Sequence, residues 1–164
     1  MSLISRERDG CAVSELALEK DLSKQWGGYV TFARNERCTS KILILEGELS
    51  VQSHSERDEL WYIVEGNAMV YRGDVGRTPE STVARLEGQL VQPGDSVYIQ
   101  KGTVHTAVNK TANPTVIAEV SFGMADEDDI VRYYDASGRV SLPGLPAGIS
   151  VEEMIPLCRK AVGR

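Results

Sequence analysis

The sequence predicts an all-β fold, a sandwich or closed barrel, on two observations. Short runs rich in β-branched and aromatic residues recur from Gly28 onward, and Gly- and Pro-marked turns separate them at near-regular spacing. The 164 residues suffice for one domain with a sizeable core, and no internal repeat or low-complexity tract suggests a second. The expected organisation is an N-terminal arm over 1–24, a barrel over 25–139 and a C-terminal loop and helix over 140–164.

The predicted strands are GYVTFAR (28–34), TSKILIL (39–45), LSVQSH (49–54), LWYIVEG (60–66), NAMVYRG (67–73), STVARLEG (81–88), DSVYIQ (95–100), TVHTAVN (103–109) and PTVIAEVSFG (114–123). Turn-forming groups such as Glu46-Gly47, Gly66-Asn67, Pro93-Gly94-Asp95 and Asn113-Pro114 divide them. The stretch from Arg72 to Ser81 reads as a longer hairpin loop. Ala12 to Leu22 reads as a short helix or as an arm packing on a neighbour. After the acidic turn Asp126–Asp129 and the run IVRYYD, Ser150 and Glu153 form a capping-box pattern that predicts a helix start. Met154, Ile155, Cys158, Ala161 and Val162 would make its apolar face. Pro156 is too deep for an ideal first turn, so this helix is expected to be kinked or to start later.

Charge narrows the partners. A net charge of −6 leaves no basic face for nucleic acid or an anionic membrane. An anionic ligand would need positive charge recruited locally, from a metal or a few Lys and Arg. No apolar run is long enough to span a bilayer, and the N-terminus has no signal-peptide core, so a cytoplasmic protein is expected. Cys11, Cys38 and Cys158 are odd in number and far apart, which points to reduced thiols rather than disulfides or a thiolate zinc site.

The chain has two histidines, His54 and His105, each inside a predicted strand and each among polar residues. Side chains two apart on a strand share a face, so Gln52 and His54 point the same way. Glu59 opens the next strand and reaches the same pocket if the two strands pair. Two imidazoles, a carboxylate and an amide oxygen suit a divalent transition metal. The alternative is that these are hydrogen-bonded core or surface residues.

The spacing around these residues resembles the two cupin motifs. Gly47, Glu59 and Gly66 follow the first, with Gln52-Ser53-His54 where a histidine pair usually stands. Gly94, Gly102, His105 and Asn109 follow the second, with Gln100 in place of its proline. Within cupins the chain resembles the type II mannose-6-phosphate isomerase group, a domain also found at the C-terminus of bifunctional GDP-mannose pyrophosphorylases. Trp26 to Tyr29, Ser50 to Trp61, Val64 to Val70 and Asp128 to Arg139 carry this resemblance.

The resemblance implies a cupin-type double-stranded β-helix, or jelly-roll barrel. It implies one divalent metal ion, zinc first and manganese, cobalt, nickel or iron as alternatives, held by Gln52, His54, Glu59 and His105. It implies interconversion of mannose 6-phosphate and fructose 6-phosphate, a sugar-phosphate ligand and a homodimer. Arg132 is the leading phosphate binder and a catalytic candidate, with Arg57, Lys101 and Arg139 as further substrate-binding candidates. Glu56 and Lys41 are candidates for the base. Ser55 and Glu56 stand where the family has two more histidines, and Val104 where it has a lysine. Pyrophosphorylase activity is not expected of these residues. An oxygenase-type metal cupin and a non-catalytic metabolite-binding cupin are the competing readings.

Overall fold

The computed structural model describes residues 19–123 and 127–163. In chain order the strands are β1 (Glu19–Lys24), β2 (Gly27–Asn35), β3 (Cys38–Leu45), β4 (Val51–His54), β5 (Arg57–Glu65), β6 (Ala68–Gly73), β7 (Glu87–Val91), β8 (Ser96–Ile99), β9 (Val104–Asn109), β10 (Thr115–Gly123) and β11 (Ile130–Tyr134). The helices are α1 (Pro79–Val83) and α2 (Val151–Ala161), with a 3-10 turn at Glu127–Asp129. Two antiparallel sheets result, one ordered β1-β2-β3-β10-β5-β8 and the other β11-β4-β9-β6-β7. This is the predicted double-stranded β-helix.

Strand alternation decides what enters the barrel. On the six-stranded sheet the inward residues form cross-strand rows. One row is Thr39–Ser121–Glu59, the next Lys41–Glu119–Trp61 and the next Leu43–Ile117–Ile63. The interior is therefore polar at one end and apolar at the other. The apolar end joins Leu45, Leu49, Ala68, Val70, Val91, Val97, Ile99 and Ala107 in one core, with Trp26 and Tyr29 packed against it. At about 25 cal/mol per Å² of buried apolar area, this end holds the two sheets together and leaves the polar end free for chemistry. The β5–β6 turn needs Gly66, whose φ is +75° and whose added Cβ would stand 2.9 Å from the Thr115 Cα.

A second core lies outside the five-stranded sheet. Val51, Val104 and Val108 turn outward there and meet Val83 at the end of α1 and Leu86 just after it, together with Tyr134, Leu142, Val151, Met154, Ile155 and Cys158. The helix α2 starts at Val151 with the capping box of Ser150 and Glu153 that the sequence predicts, and Pro156 is accommodated inside it. Ala161 and Val162 lie on its exposed side, so the apolar face is Val151, Met154, Ile155 and Cys158.

Three expectations need correction. The predicted strand 81–88 is the end of α1 and a turn, followed by β7. Thr78 caps that helix with Ser81 in a second capping box and Pro79 opens it, so local capping overrides β-branched composition. The stretch 72–81 is accordingly the end of β6, a short loop and the start of α1. Residues Glu19 to Leu22, expected in a helix or arm, lie in β1 because their backbone pairs with β2. Cys11, Asp126 and residues 1–18 of the expected arm lie outside the described residues. Cys38 and Cys158 are free thiols. Among the described residues no helix is long and apolar enough to cross a membrane.

Glu48 ties the barrel to α2, since both its carboxylate oxygens accept from the Val151 backbone N–H, at 3.2 and 3.1 Å. Burial pushes its carboxyl up to about 7; the Val151 bond opposes this, and the charges of Glu152, Asp135 and Glu153 add to it. A carboxyl raised in the folded state favours folding below its unfolded pKa and loses that contribution as pH rises through its folded value. Glu48→Gln keeps an acceptor for Val151 and removes the charge. Its melting temperature relative to wild type should therefore rise between pH 5 and pH 8, as read by thermal denaturation across that range.

Candidate metal centre

His54 ends β4, Glu59 lies on β5 across the tight β4–β5 turn, and His105 lies on β9. Their ligand atoms lie within 4.8 Å of one another, and all three residues are buried. His54 Nε2 is 3.2 Å from Glu59 Oε1, and His105 Nε2 is 3.5 Å from Glu59 Oε2. The two imidazole centroids are 5.1 Å apart. The Trp61 ring meets His105 edge-on at 5.5 Å and closes the apolar side.

The protonation pattern follows from the neighbours. His105 Nδ1 lies 3.0 Å from the Thr103 carbonyl oxygen, which can only accept, so Nδ1 carries the proton and Nε2 presents its lone pair. That lone pair faces a carboxylate oxygen, and neither His105 Nε2 nor Glu59 Oε2 has a hydrogen-bond partner among the described residues. Two buried acceptors facing each other are destabilising unless a cation or proton lies between them. Zinc-type ions hold N and O ligands at about 2.0–2.2 Å, so two ligands on one ion lie within about 4.4 Å of each other. Closure by a few tenths of an ångström completes the set. The donor chemistry fits a divalent cation, and the His105–Thr103 bond is the outer support such a ligand needs.

Burial alone would raise the Glu59 carboxyl. The proximity of His105, then His54 and the Arg57 guanidinium, outweighs burial and holds it well below the usual carboxylate range. Burial pushes His54 down to about 4, against the pull of Glu59 and with the push of His105 and Arg57. Both groups are thus held in the protonation states that bind a metal, carboxylate and neutral imidazole.

Arg57 is buried and engaged at all three nitrogens. Nε donates to Glu59 Oε1 at 3.0 Å, Nη1 pairs with Asp129 Oδ2 at 3.4 Å and Nη2 lies 3.2 Å from His54 Nε2. Asp129 also accepts from the Ser55 backbone N–H and hydroxyl and from the Glu56 backbone N–H. These bonds fix the β4–β5 turn that brings Glu59 beside His54.

A cavity of about 110 Å³ opens onto this cluster, lined by Lys41, Gln52, Arg57, Glu59, Trp61, Glu119, Arg132 and Arg139 among others. Arg132 on β11 is the cross-strand partner of Gln52 on β4, and Gln52 is in turn the partner of His105 on β9. The Gln52 side-chain oxygen accepts from the Ser50 hydroxyl at 2.9 Å. A larger cavity of about 630 Å³ shares Lys24, Trp26 and Arg139 with the first but touches none of the three clustered residues.

Of the residues singled out in the sequence, the structure brings His54, Glu59 and His105 together and places Gln52, Lys41, Arg57, Arg132 and Arg139 with Glu59 on one cavity. Arg139 is half-exposed and ion-paired with Asp135. Glu56 and Lys101 are not brought there. Glu56 sits exposed in the β4–β5 turn, and Lys101 is exposed in the β8–β9 turn, its backbone N–H donating to Asp58. Both lie in turns, where the alternation argument for inward residues does not apply. One site residue escaped sequence reasoning. Glu119 lines the cavity from the middle of β10, and Trp61 Nε1 donates to it at 3.1 Å. Burial pushes its carboxyl up to about 7, and the Glu59 charge adds to this. The signal was a charged residue at an inward position of an otherwise apolar alternating strand.

The fold and this centre define a cupin. An RmlC-like cupin from Shewanella frigidimarina superposes with a TM-score of 0.52 at 18% identity, covering 68% of this chain and 87% of that one. The capsular polysaccharide assembling protein CapF from Staphylococcus aureus gives 0.59 at 17%, over 71% of this chain and 34% of that one. At these identities the likeness concerns the fold alone. The chain belongs to the family described as mannose-6-phosphate isomerase C-terminal, whose model matches residues 12–135. Its curated relatives include the mannose-1-phosphate guanylyltransferase ManC of Salmonella typhimurium, 34% identical over 75% of this chain and 24% of that protein. The xanthan biosynthesis protein XanB of Xanthomonas campestris is 33% identical over 77% of this chain and 25% of that protein. The chain thus spans about a quarter of the length of these relatives.

These relatives correct one expectation. They are named for guanylyltransferase activity or for polysaccharide biosynthesis, as is the alginate biosynthesis protein AlgA of Pseudomonas aeruginosa, and not for mannose-6-phosphate isomerisation. The interconversion of mannose 6-phosphate and fructose 6-phosphate expected from the motifs is therefore withdrawn. The motifs identify the domain, which is only the part these larger enzymes share with this chain.

A ligand that binds only the folded state stabilises it by mass action, about 2.7 kcal/mol at ~100 times its Kd. Zinc added to metal-stripped protein should raise the melting temperature, and His105→Ala should abolish the rise. Differential scanning calorimetry with and without zinc reads both.

Proposed function

We propose that this chain is a metal-dependent carbohydrate-binding cupin domain that takes an anionic sugar ligand, of the sugar-phosphate class, at its barrel mouth. One divalent cation, zinc first, is held by His54, Glu59 and His105 with Gln52 beside them. The observation that carries this reading is the shared cavity: Glu59 of the metal cluster, its neighbour Gln52 and the cations Arg132 and Arg139 line one small space. In a protein of net charge −6 this is a local concentration of positive charge, which an anionic ligand needs. The cation, when bound, coordinates and polarises a ligand oxygen. Arg132 meets the anionic group, and the adjoining larger cavity takes what the inner one cannot hold. The relatives' names, mannose-1-phosphate guanylyltransferase among them, supply the class of sugar.

Isothermal titration calorimetry tests this with mannose 1-phosphate and mannose 6-phosphate against zinc-loaded and metal-stripped protein. Binding of at least one is expected only in the loaded form. Arg132→Ala should weaken it about tenfold or more, the range for a lost charge-assisted hydrogen bond. A zinc-loaded protein that binds neither sugar overturns the reading.

The homodimer belongs to the same proposal, through the outer face of the six-stranded sheet. Helices cover the outer face of the other sheet; this one presents Val30, Ile42, Val116, Ala118, Leu60 and Tyr62 to the outside. Tyr62, Val64, Tyr98 and Phe122 are each nearly half exposed. Antiparallel sheets facing water ordinarily alternate to polar residues on that side. Five strands about 4.8 Å apart, each giving some six residues at about 3.3 Å, span roughly 500 Å² in plane. A stable interface needs about 800 Å² of accessible surface per partner, which such a corrugated face approaches. A second copy, presenting the same uncharged patch, is the occupant that matches it. Light scattering should give a dimer mass for wild type and a monomer mass for Tyr62→Glu/Val64→Glu that still binds zinc. A monomeric wild type overturns it.

A further inference from the structure

Glu119 and Lys41 line the same cavity, and no hydrogen bond or ion pair joins them, although the Lys41 charge acts on the Glu119 carboxyl. They are cross-strand partners on β10 and β3, with Trp61 on the far side of Glu119 in the same row. All three side chains line the cavity beside Glu59 and Gln52. Glu119 accepts from Trp61 Nε1 at 3.1 Å and from the Ser121 hydroxyl at 3.3 Å. The two carboxyl oxygens carry about four lone-pair positions, so roughly two remain for the cavity they face. Lys41 Nζ lies 5.2 Å from the centroid of the Tyr29 ring, and among the described residues it is in no ion pair. The cavity therefore holds an acceptor and a donor, one cross-strand step apart and each held from behind.

From this juxtaposition, we infer that Glu119 and Lys41 form a hydroxyl-reading pair. Glu119 accepts from one hydroxyl of a pyranose or acyclic polyol, and Lys41 donates to the neighbouring one. Adjacent hydroxyls of a sugar are spaced to meet two such side chains, and each hydroxyl both donates and accepts. The inference rests on the carbohydrate reading above and extends it to a specificity element. Arg132 and Arg139 hold the charged end, and Glu119 with Lys41 reads the hydroxylated end. A site built to hydrogen-bond a hydroxyl rejects ligands that lack it, because its buried polar groups are left unpaired.

The test compares mannose 6-phosphate with inorganic phosphate, which has no carbon-borne hydroxyls, as ligands of the zinc-loaded protein. In Glu119→Gln, the Trp61 and Ser121 donors compete for a single remaining oxygen. Affinity for mannose 6-phosphate should fall about tenfold or more, as for other lost hydrogen bonds to charged groups, with inorganic phosphate unchanged or tighter. Lys41→Arg keeps the charge and changes the donor geometry, so it should show the same split and stands in if Glu119→Gln does not fold. Zinc stoichiometry of one per chain certifies either variant. Wild-type affinity for mannose 6-phosphate in a folded variant overturns the inference while leaving the wider reading intact. Parallel loss for both ligands overturns it too. A wild-type protein that binds neither mannose phosphate removes both, and that failure is visible before any substitution is made.

Discussion

The polar end of this barrel is organised around one buried carboxylate. Glu59 is almost fully removed from water, a large cost for an ion unless opposite charge and hydrogen bonds offset it. The donors around Glu59 offset part of that cost. Arg57 donates to one oxygen, and two imidazoles face the pair of them. Asp129 in turn offsets Arg57 and fixes the turn that carries it. Even so, His105 Nε2 and Glu59 Oε2 remain as facing acceptors. The arrangement reaches full satisfaction with a cation or a proton between them, and its donor set is one that fits a divalent metal ion.

The sheets make such a cluster affordable. Because inward rows run from Leu43–Ile117–Ile63 through Lys41–Glu119–Trp61 to Thr39–Ser121–Glu59, apolar packing is concentrated away from the ionisable groups. Trp61 stands at the boundary. Its ring packs on His105 and on the apolar core, while its N–H supports Glu119. The second core, beneath α1 and α2, stiffens β4 and β9 from outside, and these are the strands that carry the two histidines. Val51 and Val104 face out into that core while their neighbours Gln52 and His105 face in.

Much of this was legible in the sequence for a simple reason. Alternation is local, so short strands, their turns and the inward faces of Gln52, His54, Glu59 and His105 follow from residue order. The capping box at Ser150 was legible for the same reason. The misread segment 81–88 shows the limit. Its Thr, Val and Leu suit a strand, but Thr78, Pro79 and Ser81 start a helix just upstream, and its Val83 and Leu86 are buried in the outer core. Glu119 was missed because its significance lies in which strands flank it. Arg57 lines the same cavity, and its bonds to Glu59, Asp129 and His54 are contacts that residue order does not encode.

By itself the sequence determined the strand content, the turn positions, the two histidine-bearing motifs and hence the cupin family, since each depends on spacing along the chain. Tertiary structure decided which charged residues share one cavity and which are excluded from it. Cross-strand pairing joins Arg132 to Gln52 and His105, and Lys41 to Glu119 and Trp61, across separations in the chain that no local pattern encodes. It also left Glu56 and Lys101 in exposed turns. Charges act through space and solvent exposure, and both are fixed only when the two sheets close.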